Sequence, residues 1–324
     1  MLGETLSILV ALSFTATALF AEVGSKRMGS LPFNAVRMTL SLVFLALTLL
    51  LTMGAPWPCY ADSGTWLWLL LSGLIGYVVG DYCLMQGYIL IGSRFGQLFM
   101  TLSAPTAALL GWLTMGEAMR PTALIGMVVT LSGIAISILS KGDKAHAGLS
   151  LTISPKGLII ACMAGICQGA GLVVSKIGLQ HYYAALSAQG IDEAMVPAEA
   201  IVPLPLSVSI PFASTMIRGL MGLFGFLALQ LLFSKDGMAQ LRRACGDRKA
   251  MISAFASMLF GPFIGVSLSL TATLYTSTGI AQTLFALTPV LIIAPSAWLF
   301  HQRVTLREIV GAVISVAGAS LFFL

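Results

Sequence analysis

Charge is what this sequence has least of. Only 9% of its 324 residues are charged, while 58% are hydrophobic. A soluble chain of this size carries about 25% charged residues. Too little polar surface exists here to clothe a water-soluble globule, which excludes a soluble enzyme or binding domain. The five cysteines (Cys59, Cys83, Cys162, Cys167, Cys245) are scattered, with no metal-ligand spacing and no disulfide framework. The three histidines, His146, His181 and His301, lie far apart in or beside polar segments. No P-loop or glycine-rich phosphate cradle occurs, which argues against ATP-driven transport within this chain. No cofactor is expected. The net charge of +5 forms no nucleic-acid footprint, so nucleic acid is not an expected partner.

What the sequence has instead is long, continuous apolar runs. They do not alternate, so helices rather than barrel strands are expected. A spanning helix needs roughly 20 mostly apolar residues. Ten stretches qualify, at 6–23, 32–53, 66–90, 95–115, 123–139, 157–179, 212–233, 251–275, 280–300 and 306–323. The first has no basic segment before it and no small-residue cleavage site after it, so it reads as a retained helix. The longest non-spanning piece is 180–210, which holds Pro197, Pro203 and Pro205.

The stretch 72–139 recurs at 257–324 without a gap. Gly76 meets Gly261 at an offset of 185 (261 − 76), and Gly80 then meets Gly265. Gln97 meets Gln282, Gly126 meets Gly311 and Gly133 meets Gly318. Weaker echoes join the remaining stretches. Val23-Gly24-Ser25-Lys26 resembles Val173-Val174-Ser175-Lys176, and Pro32-Phe33 before Arg37 resembles Pro211-Phe212 before Arg218. Internal repeats decide architecture before any local reading. The expected fold is an all-α polytopic membrane protein with ten transmembrane helices. They form two inverted five-helix repeats, 1–140 and 141–324, because an odd count per half reverses the second.

Basic residues gather on one side of that topology. The loops joining odd stretches to the next even one hold Lys26, Arg27, Lys141, Lys144, Lys235, Arg242, Arg243, Arg248 and Arg303, among others. On the other side, the acidic residues are Asp62, Glu117, Asp192, Glu193 and Glu199. The positive-inside rule makes the basic side cytoplasmic and puts both termini outside.

These features together resemble the drug/metabolite transporter superfamily, EamA type. The residues that carry the resemblance are Arg37 early in the second stretch, the turn Ser103-Ala104-Pro105, the step Gly116-Glu117, and Gly126 to Gly133. The second half repeats them as Arg218, Thr288-Pro289 and Gly311 to Gly318. It departs at His301-Gln302 and in the long 180–210 segment. The resemblance implies a ten-helix membrane transporter. It also implies cytoplasmic termini, against the charge reading.

Charges inside a bilayer are costly and need a reason. Asp81 is the acidic residue deepest within a stretch, and Tyr77 and Tyr88 share its helix face at i−4 and i+7. This group reads as a cavity wall, with Asp81 as polar anchor or proton site, or as helix-packing glue. Its repeat mate is Val266, so the scaffold itself does not demand an acid. Gln97, Gln282 and Gln168 are buried amides, suited to packing or to a polar cavity between the repeats. Glu22 and Lys26 form an i,i+4 ion pair near the interface or part of a gate. Arg37 and Arg218 begin their helices as interface anchors or as paired gate residues. Ser267, Ser269, Thr271 and Thr273 cannot share one helix face, and most are expected to bond backbone carbonyls.

The function these readings support is secondary transport of a small metabolite, amino acid or drug-like compound by alternating access, with export expected. The chain would act as a monomer in a bacterial inner membrane, with a small-molecule substrate and the lipid bilayer as its partners. Alternatives are a lipid-carrier flippase of the same fold and a membrane-embedded enzyme. No nucleophile or metal triad can be assembled for the last.

Overall fold

The computed structural model describes residues 2–115, 121–142, 154–233, 237–275, 284–300 and 304–321. Among the described residues every regular element is helical. Helix α1 spans Leu2–Met28 and α2 spans Ser30–Met53. Helix α3, Ser63–Ile91, is opened by a π turn at Leu74–Asp81. Helix α4 covers 93–115 and tightens to a 3₁₀ turn at Met100–Leu102. Then follow α5 (Pro121–Gly142), α6 (Pro155–Ala188), α7 (Leu206–Phe233) and a short α8 (Gly237–Gly246). Helix α9, Arg248–Ala272, carries its own π turn at Leu259–Phe263. Helix α10 is Thr288–Leu299 and α11 is Leu306–Ser320.

Six of these, α1, α2, α3, α6, α7 and α9, are long and apolar enough to cross a membrane. Their outer faces stay apolar: Leu47, Leu67, Ile159 and Phe224 are all exposed. Helices that are hydrophobic all round, in a chain with so little charge, belong in lipid. Two corners are single glycines. Gly29 turns α1 into α2 at φ 87 and Gly92 turns α3 into α4 at φ 84, a region that side chains disfavour.

Three boundaries differ from the sequence expectation. The sixth stretch continues past Leu179 to Ala188, because Tyr182, Ala185 and Leu186 form a buried i, i+3, i+4 face. Tyr182 also donates a hydrogen bond to the Cys59 carbonyl. The seventh begins at Leu206 rather than Phe212 and takes Pro211 inside it. Pro211 sits in the second turn, where its missing N–H frees only the Ser207 carbonyl. The non-helical connection is therefore 189–205 rather than 180–210. The charged 234–249 segment, expected as loop, holds α8, whose Leu241 packs against the bundle.

Helices α5 and α11 pack through glycines. A Cβ at Gly133 would lie 2.4 Å from the Ser315 nitrogen, and one at Gly318 would lie 2.3 Å from the Thr130 nitrogen. The Thr130 hydroxyl donates to the Ser315 carbonyl at 3.4 Å, and the Ser315 hydroxyl to the Thr130 carbonyl at 3.4 Å. Thr130 and Ser315 are 185 residues apart, the offset of the sequence repeat. Each contact thus has its reciprocal, as at a two-fold axis. Going from Thr130 to Gly133 along α5 means going back from Gly318 to Gly311 along α11, so the helices are antiparallel.

Candidate functional site

A cavity of about 170 Å³ lies in the middle of the bundle, where α1, α2, α3, α4, α6, α7 and α9 converge with the chain entering α10. Its chemistry starts from the π turn of α3. A π turn leaves a backbone carbonyl outside the usual ladder, and such turns recur at functional sites. Here the Gly76 carbonyl accepts a bond from Gln168 Nε2 of α6 at 3.2 Å. The same amide donates to Asp81 Oδ1 at 2.8 Å. Gln168 can come this close because α6 meets α3 through Gly171, where a Cβ would lie 2.9 Å from the Gly76 Cα.

Asp81 Oδ2 accepts from Arg37 Nη2 in α2. That guanidinium also donates to Asn34 Oδ1 at 2.9 Å, and Asn34 Nδ2 reaches the Asp81 backbone carbonyl at 3.4 Å. Arg218 of α7 stands with its guanidinium carbon 4.8 Å from the centre of the Tyr77 ring. Asp81 is 7% exposed, Arg37 2% and Arg218 5%, so three ionisable groups meet inside the bundle. Tyr88 accepts from Gln97 Nε2 at 2.6 Å, and its ring lies over Gly96. Phe14 and Phe285, in an edge contact at 6.2 Å, give the cavity an apolar patch.

Of the residues singled out from the sequence, Arg37, Tyr77, Asp81, Tyr88, Gln97, Gln168 and Arg218 all line this one cavity. Gln282 lies outside the described residues, as do Gly116-Glu117 and His301-Gln302. Arg37 and Arg218 are not interface anchors at helix starts. Arg218 lies 12 residues into α7 (218 − 206), about 18 Å along its axis. Pro211 was the misleading signal, since it reads as a helix start.

Glu22 does not reach the cavity. It pairs with Lys26 at 2.5 Å as the i,i+4 spacing implies, and it also accepts from the Ser93 backbone N–H at 2.6 Å. It is 1% exposed, so it is buried against the start of α4 rather than snorkelling. Arg94 pairs with Glu308 at 3.4 Å and Arg27 with Asp247 at 2.8 Å nearby. These pairs close the end of the bundle where α1 finishes and α4, α9 and α11 begin.

Asn34 was missed in the sequence. Its signal is the i,i+3 spacing to Arg37 inside an apolar helix. Ser269 lines the cavity but also donates to the Val266 carbonyl at 2.7 Å, and Thr271 donates to the Ser267 carbonyl at 3.0 Å, as expected for that polar run.

The EamA-like transporter family profile matches residues 1–139 and 202–324. A solved crystal structure of a protein aligns with 98% of this chain and 94% of its own, with a TM-score of 0.53 at 14% identity, a likeness of fold alone. No curated protein matches.

Proposed function

This chain belongs to the EamA-like transporter family, and from that premise we propose a secondary transporter that carries a small metabolite by alternating access. It is an integral membrane protein, and the membrane proposed is a bacterial inner membrane. We assign ten crossings, α1 to α7 and α9 to α11, as two inverted halves, 1–140 and 141–324. The antiparallel, reciprocal packing of α5 on α11 supports the inversion. An inverted repeat has two equivalent ways to close, one at each face, and its site lies near the midplane.

The observation that carries this reading is the buried network of Arg37, Asp81 and Gln168, which faces a cavity rather than a dry helix contact. A carboxylate held by two neighbours and open to a cavity can respond to a solute or a proton. Tyr77, Tyr88, Gln97 and Gln282 complete the substrate group in this reading. Glu22 and the ion pairs beside it act as the gate at their end. The molecule works as a monomer and in the outward, exporting direction. A lipid carrier fits less well, since a cavity of about 170 Å³ is small for a lipid.

The test is flux in liposomes containing the purified protein. Saturable movement of a small solute down a pH or solute gradient is expected. Movement of labelled lipid between leaflets, without solute flux, would replace the reading by the lipid carrier.

A further inference from the structure

We infer that the solute is a small organic anion with one carboxylate, which sits on Arg218 while its apolar body lies against Phe14 and Phe285. This rests on the transporter reading above and names the substrate class of the same site. The first ground is charge. Among the described residues, the charged ones lining the cavity are Arg37, Arg218 and Asp81, which leaves one positive charge over. The neighbouring segment 276–283 contains no charged residue, so it does not alter that sum.

The second ground is the pairing. Arg37 has Asp81 as its partner. Arg218, the corresponding arginine of the other half, makes no ion pair or hydrogen bond among the described residues; it stands on the face of Tyr77 and feels Asp81 only at longer range. The position that repeats Asp81 in the second half is Val266 (266 − 81 = 185), and it too lines the cavity. The frame therefore supplies an acid to one arginine and withholds it from the other. An unpaired buried guanidinium is expensive unless a ligand completes it.

The third ground is unused hydrogen-bonding capacity. Nε of Arg218 and the hydroxyl of Tyr77 have no hydrogen-bond partner. A guanidinium fork matches a carboxylate in two parallel bonds. One carboxylate on Arg218, beside the Tyr77 ring, cancels the spare charge. A zwitterion would bring no net charge and leave the excess in place. The volume sets the body: a cavity of about 170 Å³ is close to the ~150 Å³ that accommodates a benzene ring.

The experiment uses the full chain in lipid nanodiscs and follows thermal unfolding, which a bound ligand raises. The probes are 3-phenylpropionate and hexanoate, against 3-phenylpropionamide, 3-phenylpropylamine, phenylalanine and phenyl phosphate. Both acids are expected to raise the midpoint, with apparent affinities at least tenfold above the amide, amine and amino acid. Arg218→Gln should abolish the acid response, and Arg218→Lys should keep part of it. Without ligand, Arg218→Gln should unfold no earlier than the parent, since it removes an unpaired charge. Equal responses to acid and amide, preference for the amine, the zwitterion or the phosphate, or no response to either acid would overturn the inference. So would an acid response that survives in Arg218→Gln. Flux of the same probes separates the two readings. Acid binding without flux defeats the transporter and leaves the anion site. Flux of the amine or amide alone does the reverse.

Discussion

Asp62 caps α3 and Asp247 caps α9, 185 positions apart (247 − 62). Asp62 accepts from the Thr65 backbone N–H, and Asp247 accepts from that of Ala250, the repeat mate of Thr65. Both helices then open a π turn at repeat-related residues, Leu74 and Leu259. What hangs on this shared frame differs. Tyr77 corresponds to Pro262, Asp81 to Val266 and Leu84 to Ser269, and all six line the cavity. A backbone device that the bundle needs is needed in both halves, because each half makes the same packing. A side chain present in one half only answers to something without two-fold symmetry. Caps, π turns and glycines therefore belong to the scaffold, and Asp81 stands apart from it.

The largest effect should come from removing the one acid. Asp81→Asn leaves Arg37 buried without a counter-charge, and breaking such a pair typically costs about 3–5 kcal/mol. The variant should lose both transport and stability, measured by flux and by denaturation in mixed micelles. Removing both charges, as Arg37→Gln with Asp81→Asn, should restore most of the stability and none of the transport. An Asp81→Asn protein with parental stability would show that the pair is not buried as described.

The converse change sharpens the comparison. Val266→Asp places an acid where the second half lacks one, facing the cavity that holds Arg218. It should neutralise the spare charge and compete with a carboxylate solute. A charge-assisted hydrogen bond contributes about 1.5–3 kcal/mol, so affinity for 3-phenylpropionate should fall by at least tenfold. Unchanged affinity would mean that the two halves are not equivalent in the way their register implies.

The symmetric part should break symmetrically. Gly133→Ala and Gly318→Ala each push a Cβ onto backbone of the facing helix. Overpacking of this kind costs about 1–3 kcal/mol. The two losses should be similar, because the contacts are reciprocal. Gly246→Ala is the control, since nothing lies within 4 Å of its Cβ position. A loss at Gly133 with none at Gly318 would remove the two-fold axis from this interface.

Much of this was readable in the sequence, for identifiable reasons. Glycine and glutamine are not default lipid-facing residues, so Gly76, Gly133 and Gln97 revealed the repeat. Asp81 stood out because one carboxylate in an apolar run has no bland company. The depth of Arg218 was hidden, since Pro211 looks like a helix start and only tertiary packing makes it interior. The repeat of the caps was hidden too. Asp62 and Asp247 lie upstream of the matching stretch, in segments whose other residues have diverged from Ser63-Gly64 to Arg248-Lys249. A cap is one oxygen and one geometry, so it survives where composition does not.

The caps also give the smallest and cleanest test of the shared frame. Both carboxyls are held below the ordinary carboxylate value. For Asp62 the Thr65 hydroxyl bond is the main cause, and for Asp247 the Arg27 bond. A carboxyl with a lowered folded value stabilises above its unfolded value, and that contribution fades as pH falls through the folded value. Asp62→Ala should therefore cost about 1 kcal/mol near pH 7. The gap to the parent should shrink below pH 3.8, the unperturbed value. Asp247→Ala should lower the unfolding midpoint with the same pH sense. Salt then separates the two. The Arg27–Asp247 pair is exposed, at 44% and 31%, and exposed pairs are screened as ionic strength rises. Asp62 caps with hydrogen bonds to Thr65, which salt screens far less. Raising salt at pH 7 should shrink the Asp247→Ala deficit and leave that of Asp62→Ala nearly constant. Equal salt responses would mean that the ion pair adds nothing to the second cap, and that the two helix starts differ in sequence alone.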